Sequence, residues 1–89
     1  MNEILLNGAA FATRAEVHEL LARELNFPPY YGGNLDALHD CLTALREEAT
    51  ITLVHGEMLM ETLGPAYARL CRVLSDSAAE NPYLNIQLE

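Results

Sequence analysis

The sequence predicts an α/β fold, a three-stranded parallel sheet packed with helices. Two observations lead there. Short apolar or β-branched runs occur at residues 3–6, 50–54 and 83–88, and stretches with helically spaced leucines separate them. Strands joined through helical crossovers favour a parallel sheet with right-handed connections.

The elements follow in order. Glu3-Ile4-Leu5-Leu6 reads as a strand closed by a turn at Asn7-Gly8. Thr13-Arg14-Ala15-Glu16 has the pattern of a capping box, and Val17, Leu20, Leu21 and Leu25 behind it share one helical face. That helix is expected to end near Asn26. Pro28 and Pro29 then forbid its continuation, and Tyr30-Tyr31-Gly32-Gly33 forms a short aromatic loop. Asn34 suits an N-cap. Leu35, Leu38, Leu42 and Leu45 predict a second helix running to about Arg46. Residues 50–54, Thr-Ile-Thr-Leu-Val, read as a buried strand. Residues 57–63 read as a short helical turn, with Met58, Leu59 and Met60 assigned to the core. Gly64-Pro65 breaks the chain, and Pro65 suits the first position of a new helix. Ala66, Leu70, Val73 and Leu74 give that helix its core face to about Ala79, and Asn81-Pro82 ends it before the last strand.

Composition excludes several functions. The 89 residues carry 13 Asp plus Glu against 5 Arg and no Lys, a formal charge of −8. The length suits one domain over residues 1–89, and 51 % hydrophobic residues is too many for a disordered acidic tail. A chain this small has little room for a deep buried active site. Nucleic-acid binding by phosphate neutralisation needs clustered cations, so no nucleic-acid partner is expected. An anionic membrane is excluded on the same ground, and no apolar run approaches a membrane span. The N-terminal segment lacks a signal-peptide pattern, so the chain reads as cytoplasmic. Cys41 and Cys71 lack metal-like spacing and read as small buried hydrophobes, with a disulfide left open by the sequence. His18, His39 and His55 share no ligand spacing either, so no metal and no cofactor is expected.

The informative segment is 30–47. With Asp36 at zero on a wheel of about 100° per residue, Asp40 falls at about 40°, Thr43 at about 340°, Glu47 at about 20° and His39 at about 300°. The leucines lie opposite. Asp36 and Asp40 are a like-charge i, i+4 pair, which costs a few tenths of a kcal/mol. No Arg occurs between Arg23 and Arg46 to relieve it. A local rule broken without compensation marks a functional surface, here one built to meet an outside cation. In the last helix Arg72 and Asp76 are also i, i+4, which gives either a surface ion pair or an Asp76 that extends the acidic surface. Paired carboxylates could do acid–base work. Both sit on a convex face with no evident pocket, so an enzyme is not expected.

The run Tyr30-Tyr31-Gly32-Gly33-Asn34-Leu35-Asp36-Ala37-Leu38-His39-Asp40-Cys41-Leu42-Thr43 resembles the signature of the barstar family, intracellular inhibitors of ribonucleases. Asn7-Gly8 after the first strand, a first helix ending in Glu24-Leu25 and the final helix–strand pair extend the resemblance over nearly the whole chain. It implies a barstar-like fold of three parallel strands with helices. It also implies a protein that binds a basic ribonuclease or related nuclease toxin as a 1:1 heterodimer. By motif, Asp40 would enter the enzyme's phosphate site and Asp36 would be a second acidic anchor. Tyr30 would pack on the enzyme, and Asn34, Leu35, His39, Thr43 and Ala44 would line the contact. By position in the last helix, Asp76 would match a Glu that pairs with enzyme cations. Several positions depart from the family pattern. His39 and Leu45 stand where Trp is common, Gly33 stands where some members carry Glu, and Asp76 is one methylene shorter than Glu. These departures fit a partner other than barnase itself. An immunity or adaptor protein for another basic partner is the alternative.

Overall fold

A computed structural model describes residues 2–89. Strands β1 (Asn2–Asn7), β2 (Ala49–Val54) and β3 (Leu84–Leu88) form one sheet in the order β1-β2-β3, with both pairings parallel. Ile4, Ile51 and Ile86 lie in register across it. Helix α1 (Arg14–Glu24) and helix α2 (Leu35–Thr43) connect β1 to β2, and α3 (Gly56–Leu63) and α4 (Ala66–Glu80) connect β2 to β3. The barstar-like α/β architecture expected from the sequence is the one observed.

Side-chain alternation builds the core. Ile4 and Leu6 of β1, Ala49, Ile51 and Leu53 of β2, and Leu84 of β3 are buried against Val17, Leu21, Leu38, Leu42, Leu70 and Leu74 of the helices. The opposite face is open, although a parallel sheet is usually covered on both sides. Leu5 is exposed there, and Thr50, Thr52 and Val54 are half-buried. The central strand is therefore buried on one face only, not throughout. Gly8 joins the sheet to α3. A Cβ on Gly8 would collide with the His55 carbonyl oxygen, so only glycine lets the two segments approach.

The helix ends follow local chemistry, with one exception. Thr13 Oγ1 accepts from the Glu16 amide at 3.3 Å and Glu16 Oε1 accepts from the Thr13 amide at 3.0 Å, which completes the capping box at α1. Pro65 occupies the N-cap position of α4, one residue before the place expected, and makes no side-chain capping bond. Residues 56–63 form two turns of helix in which Leu59 alone of the cluster is buried; Met58 and Met60 face solvent. The exception is α2, which stops at Thr43 rather than near Arg46. Its end is fixed by Asn81, a buried residue 36 and 39 positions further along. Asn81 Nδ2 donates to the carbonyls of Leu42 at 2.9 Å and Leu45 at 3.1 Å. Its Oδ1 accepts from the Tyr83 amide at 3.0 Å. One side chain thus joins the end of α2, the end of α4 and the start of β3.

The first turns of α1, α2 and α4 border a common cleft, and α2 and α4 also end together at Asn81. The three helices therefore run in the same sense. The chain returns beside α1 before α2 begins, which brings loop 26–34 next to the start of α2.

Replacing Asn81 by Ala removes three side-chain hydrogen bonds made by a buried residue, so Asn81→Ala should lower the unfolding free energy by about 2–4 kcal/mol in urea denaturation. Ser77 supplies the contrast, since its buried Oγ has no partner. Ser77→Ala should leave stability unchanged or raise it by up to about 1 kcal/mol. Equal losses in the two variants would contradict the role given to Asn81.

Candidate functional site: an acidic face across two helices

Loop 26–34 is stiffened from within. Asn26 takes a left-handed conformation, φ 54°, to leave α1, and the Tyr31 amide donates to the Pro28 carbonyl at 2.9 Å. The Tyr31 ring packs on Phe27 with centroids 4.9 Å apart, and its hydroxyl bonds His18 Nδ1 at 2.5 Å. Burial, with Cys41 nearby, pushes the Tyr31 phenol up to about 12. Burial, with the Arg14 charge nearby, pulls His18 below the usual histidine value. At neutral pH the bond therefore joins a protonated phenol to a neutral imidazole, and the imidazole tautomer sets which of the two donates. Tyr30, beside this anchored ring, is 85 % exposed and free to meet a partner.

Helix α2 follows at once. Asn34 Oδ1 accepts from the Ala37 amide at 2.8 Å, which caps the helix. Leu38 and Leu42 are fully buried, and Leu35 is half-buried against the same core. Those anchors turn Asp36 and Asp40 outward, and both are exposed. The hydroxyl of Thr43 donates back to the His39 carbonyl at 2.9 Å and so lies along the last turn, while Ala44, the C-cap, is exposed.

His39 links this helix to α4. Its Nε2 lies 2.7 Å from Glu80 Oε2. The hydrogen bond to Glu80 raises the His39 pKa above the usual value; desolvation opposes it, and the charges of Glu80, Asp40 and Asp76 reinforce it. The fields of Asp40 and Asp76 both reach this ring, which brings α4 carboxylates onto the surface of the α2 aspartates. Asp36 lies one turn before Asp40, in the first turn of α2.

Several expectations need correction. Glu47 lies beyond the end of α2, in the connection to β2, so the wheel that placed it beside Asp36 does not apply. Arg72 and Asp76 form no ion pair; among the described residues the pairs are Arg23–Glu24 and His39–Glu80. Asp76 instead extends the acidic surface. Both cysteines are free thiols and half-buried rather than fully buried. The helical surface is not uniformly convex, because Asn34, Leu35 and Asp36 line a cleft of about 540 Å³ with Arg14 and Arg69. Glu80 lies one residue beyond the helix end expected near Ala79 and is the last residue of α4. One further residue places it one turn beyond Asp76 on the same face. Among the described residues no group of acidic, His or Cys side chains is arranged to hold a metal, and no helix is long and apolar enough to cross a membrane.

Comparison with known proteins agrees with this architecture. The sequence model of the family described as Barstar (barnase inhibitor) matches residues 1–87. The chain is also 35 % identical over 81 residues to a Bacillus subtilis (strain 168) protein named "Putative ribonuclease inhibitor YrdF", covering 90 % of this chain and 89 % of that one.

The His39–Glu80 pair makes its own prediction. A pKa raised in the fold means that the protonated pair adds stability below the ordinary histidine range and loses it as pH rises through the raised value. In an NMR titration Glu80→Gln should move the His39 midpoint down toward that of an ordinary histidine. An unmoved midpoint would show that the hydrogen bond does not control the ring.

Proposed function

Because the chain belongs to the barstar family, we propose that it inhibits a basic bacterial ribonuclease by plugging its active site with the acidic face of α2 and α4. The observation that carries this reading is a set of exposed carboxylates, Asp36, Asp40 and Asp76, on adjacent helices. None has an Arg within ion-pair reach among the described residues. A protein with such a surface gains by meeting cations from outside.

The mechanism is phosphate mimicry. An enzyme that cleaves RNA holds cations where the phosphates bind. Asp40, in the second turn of α2, enters that site and offers its cations a carboxylate with no bond to cleave. Asp36 and Asp76 flank it. Tyr30 packs against the enzyme from the stiff loop, and Asn34, Leu35, Thr43 and Ala44 complete the contact. Loop rigidity lowers the cost of ordering the interface. The charge of −8 steers encounter with a basic enzyme, to about 10⁸ M⁻¹s⁻¹ at low salt. The product is a 1:1 heterodimer in the cytoplasm.

Two results are expected from titrating a barnase-like, guanyl-preferring ribonuclease. The wild-type chain inhibits stoichiometrically. Asp40→Ala, with an unchanged melting curve, binds weaker by about 2–5 kcal/mol, a range set partly by measurements on this family's own inhibitor–enzyme pair. Equal inhibition by the two chains would refute the role of Asp40. No inhibition by the wild type would direct the search to another basic toxin or adaptor partner.

Affinity should also fall from pH 8 to pH 5.5, because protonated His39 adds a cation beside Asp40, Asp76 and Glu80. The fall should shrink in His39→Gln. An identical pH profile in the two proteins would remove His39 from the account.

A further inference from the structure

The cleft at the N-terminal end of α2 differs in sign from the face beside it. Arg14, from the first turn of α1, and Arg69, from the first turns of α4, both line it. They are two of only five cations in a chain with 13 carboxylates. Neither has an ion-pair partner or a side-chain hydrogen bond among the described residues, which is also true of Arg72 outside the cleft, whereas Arg23 pairs with Glu24 and Arg46 binds the Leu45 carbonyl. Two arginines from separate helices, neither in an ion pair, therefore line one concavity, with Asp36 as its one carboxylate among the described residues. Its floor is apolar, formed in part by Val17 and Leu70.

The cleft is continuous with the acidic face. Leu35 and Asp36 belong to both, so the sign of the surface changes across about one turn of α2. We propose that the Arg14–Arg69 cleft is a second contact that receives an acidic side chain of the bound ribonuclease. This rests on the inhibitor reading and names a feature of the partner. Guanidinium forks suit carboxylates, which they bind through paired charge-assisted hydrogen bonds. The contact also supplies what an acidic face alone lacks. Carboxylates attract any polycation, whereas a cationic cleft at a fixed offset repels enzymes that carry a cation there and accepts those that carry Asp or Glu. The cleft acts in partner selection, and Asp40 acts in blocking the site.

The test uses the full chain and the variant R14Q/R69Q, whose changes are both at exposed positions. In NMR titrations of the isolated protein, the probe N-acetylglutamate amide should produce saturable shifts of the Arg14 and Arg69 Nε–H signals. The neutral glutamine analogue should not, and the shifts at neighbouring Leu35 and Leu70 amides should vanish in R14Q/R69Q. No saturable shift, an equal shift with the glutamine analogue, or tighter binding of inorganic phosphate would overturn the assignment of a carboxylate. Against a ribonuclease that the wild type inhibits, R14Q/R69Q should bind about tenfold more weakly and still depend on Asp40. Unchanged affinity would overturn the inference and leave the inhibitor reading standing. Failure of the wild type to inhibit would count against the inhibitor reading, and the probe titration would then decide the cleft by itself.

Discussion

The placement of the acidic face depends on the buried side chain of Asn81. Its amide takes the carbonyl of Leu42 in the last turn of α2 and that of Leu45 just beyond it, while its oxygen takes the Tyr83 amide leading into β3. The backbone of the same residue closes α4 through Ser77. A buried amide satisfied in this way is directional, which hydrophobic packing is not. Leu38 and Leu42 decide that α2 lies on the sheet, and Asn81 decides where it stops and how it stands relative to α4. Asp40 and Asp76 share a surface because those two constraints act on the same pair of helices.

The surface built on that frame holds unlike solutions to the problem of charge. On α2 and α4 the aspartates are left without internal cations, at a small cost because they are exposed to water. Among the described residues the one internal ion-pair partner on that face is His39, which engages Glu80 and carries charge only when protonated. At the other end of α2 the arrangement changes, with two arginines that have no ion-pair partner among the described residues. Beside them the loop is neutral and held by rings: Phe27, Tyr31 and His18 form one cluster of mutually tilted rings. A rigid, uncharged loop between an acidic face and a cationic cleft presents both to a partner with little ordering left to do.

What was legible in the sequence was local. The Thr13–Glu16 capping box, the Asn34 cap and the double proline each act within a few residues, and each is found where expected. The outward aspartates of α2 were equally legible, since a short helix with Leu38 and Leu42 buried has only one other face. What was not legible depended on distant residues. The end of α2 looked longer because Leu45 keeps helical spacing, yet Asn81 draws its carbonyl out of the helix. Met58 and Met60 read as core because hydropathy does not reveal that a two-turn helix packs through Leu59 alone. The His39–Glu80 bond spans 41 positions, and the Arg14–Arg69 cleft requires two helices to begin side by side. No wheel drawn on one helix shows either.

The central claim is that partners meet the acidic face and not the open sheet. Amide hydrogen exchange of the chain, measured with and without a ribonuclease that it inhibits, tests this most directly. The account predicts added protection in residues 30–44 and around Asp76 to Glu80, with β1 and β3 unchanged. Protection concentrated instead on the open face, at Leu5, Thr52 and Gln87, would contradict it.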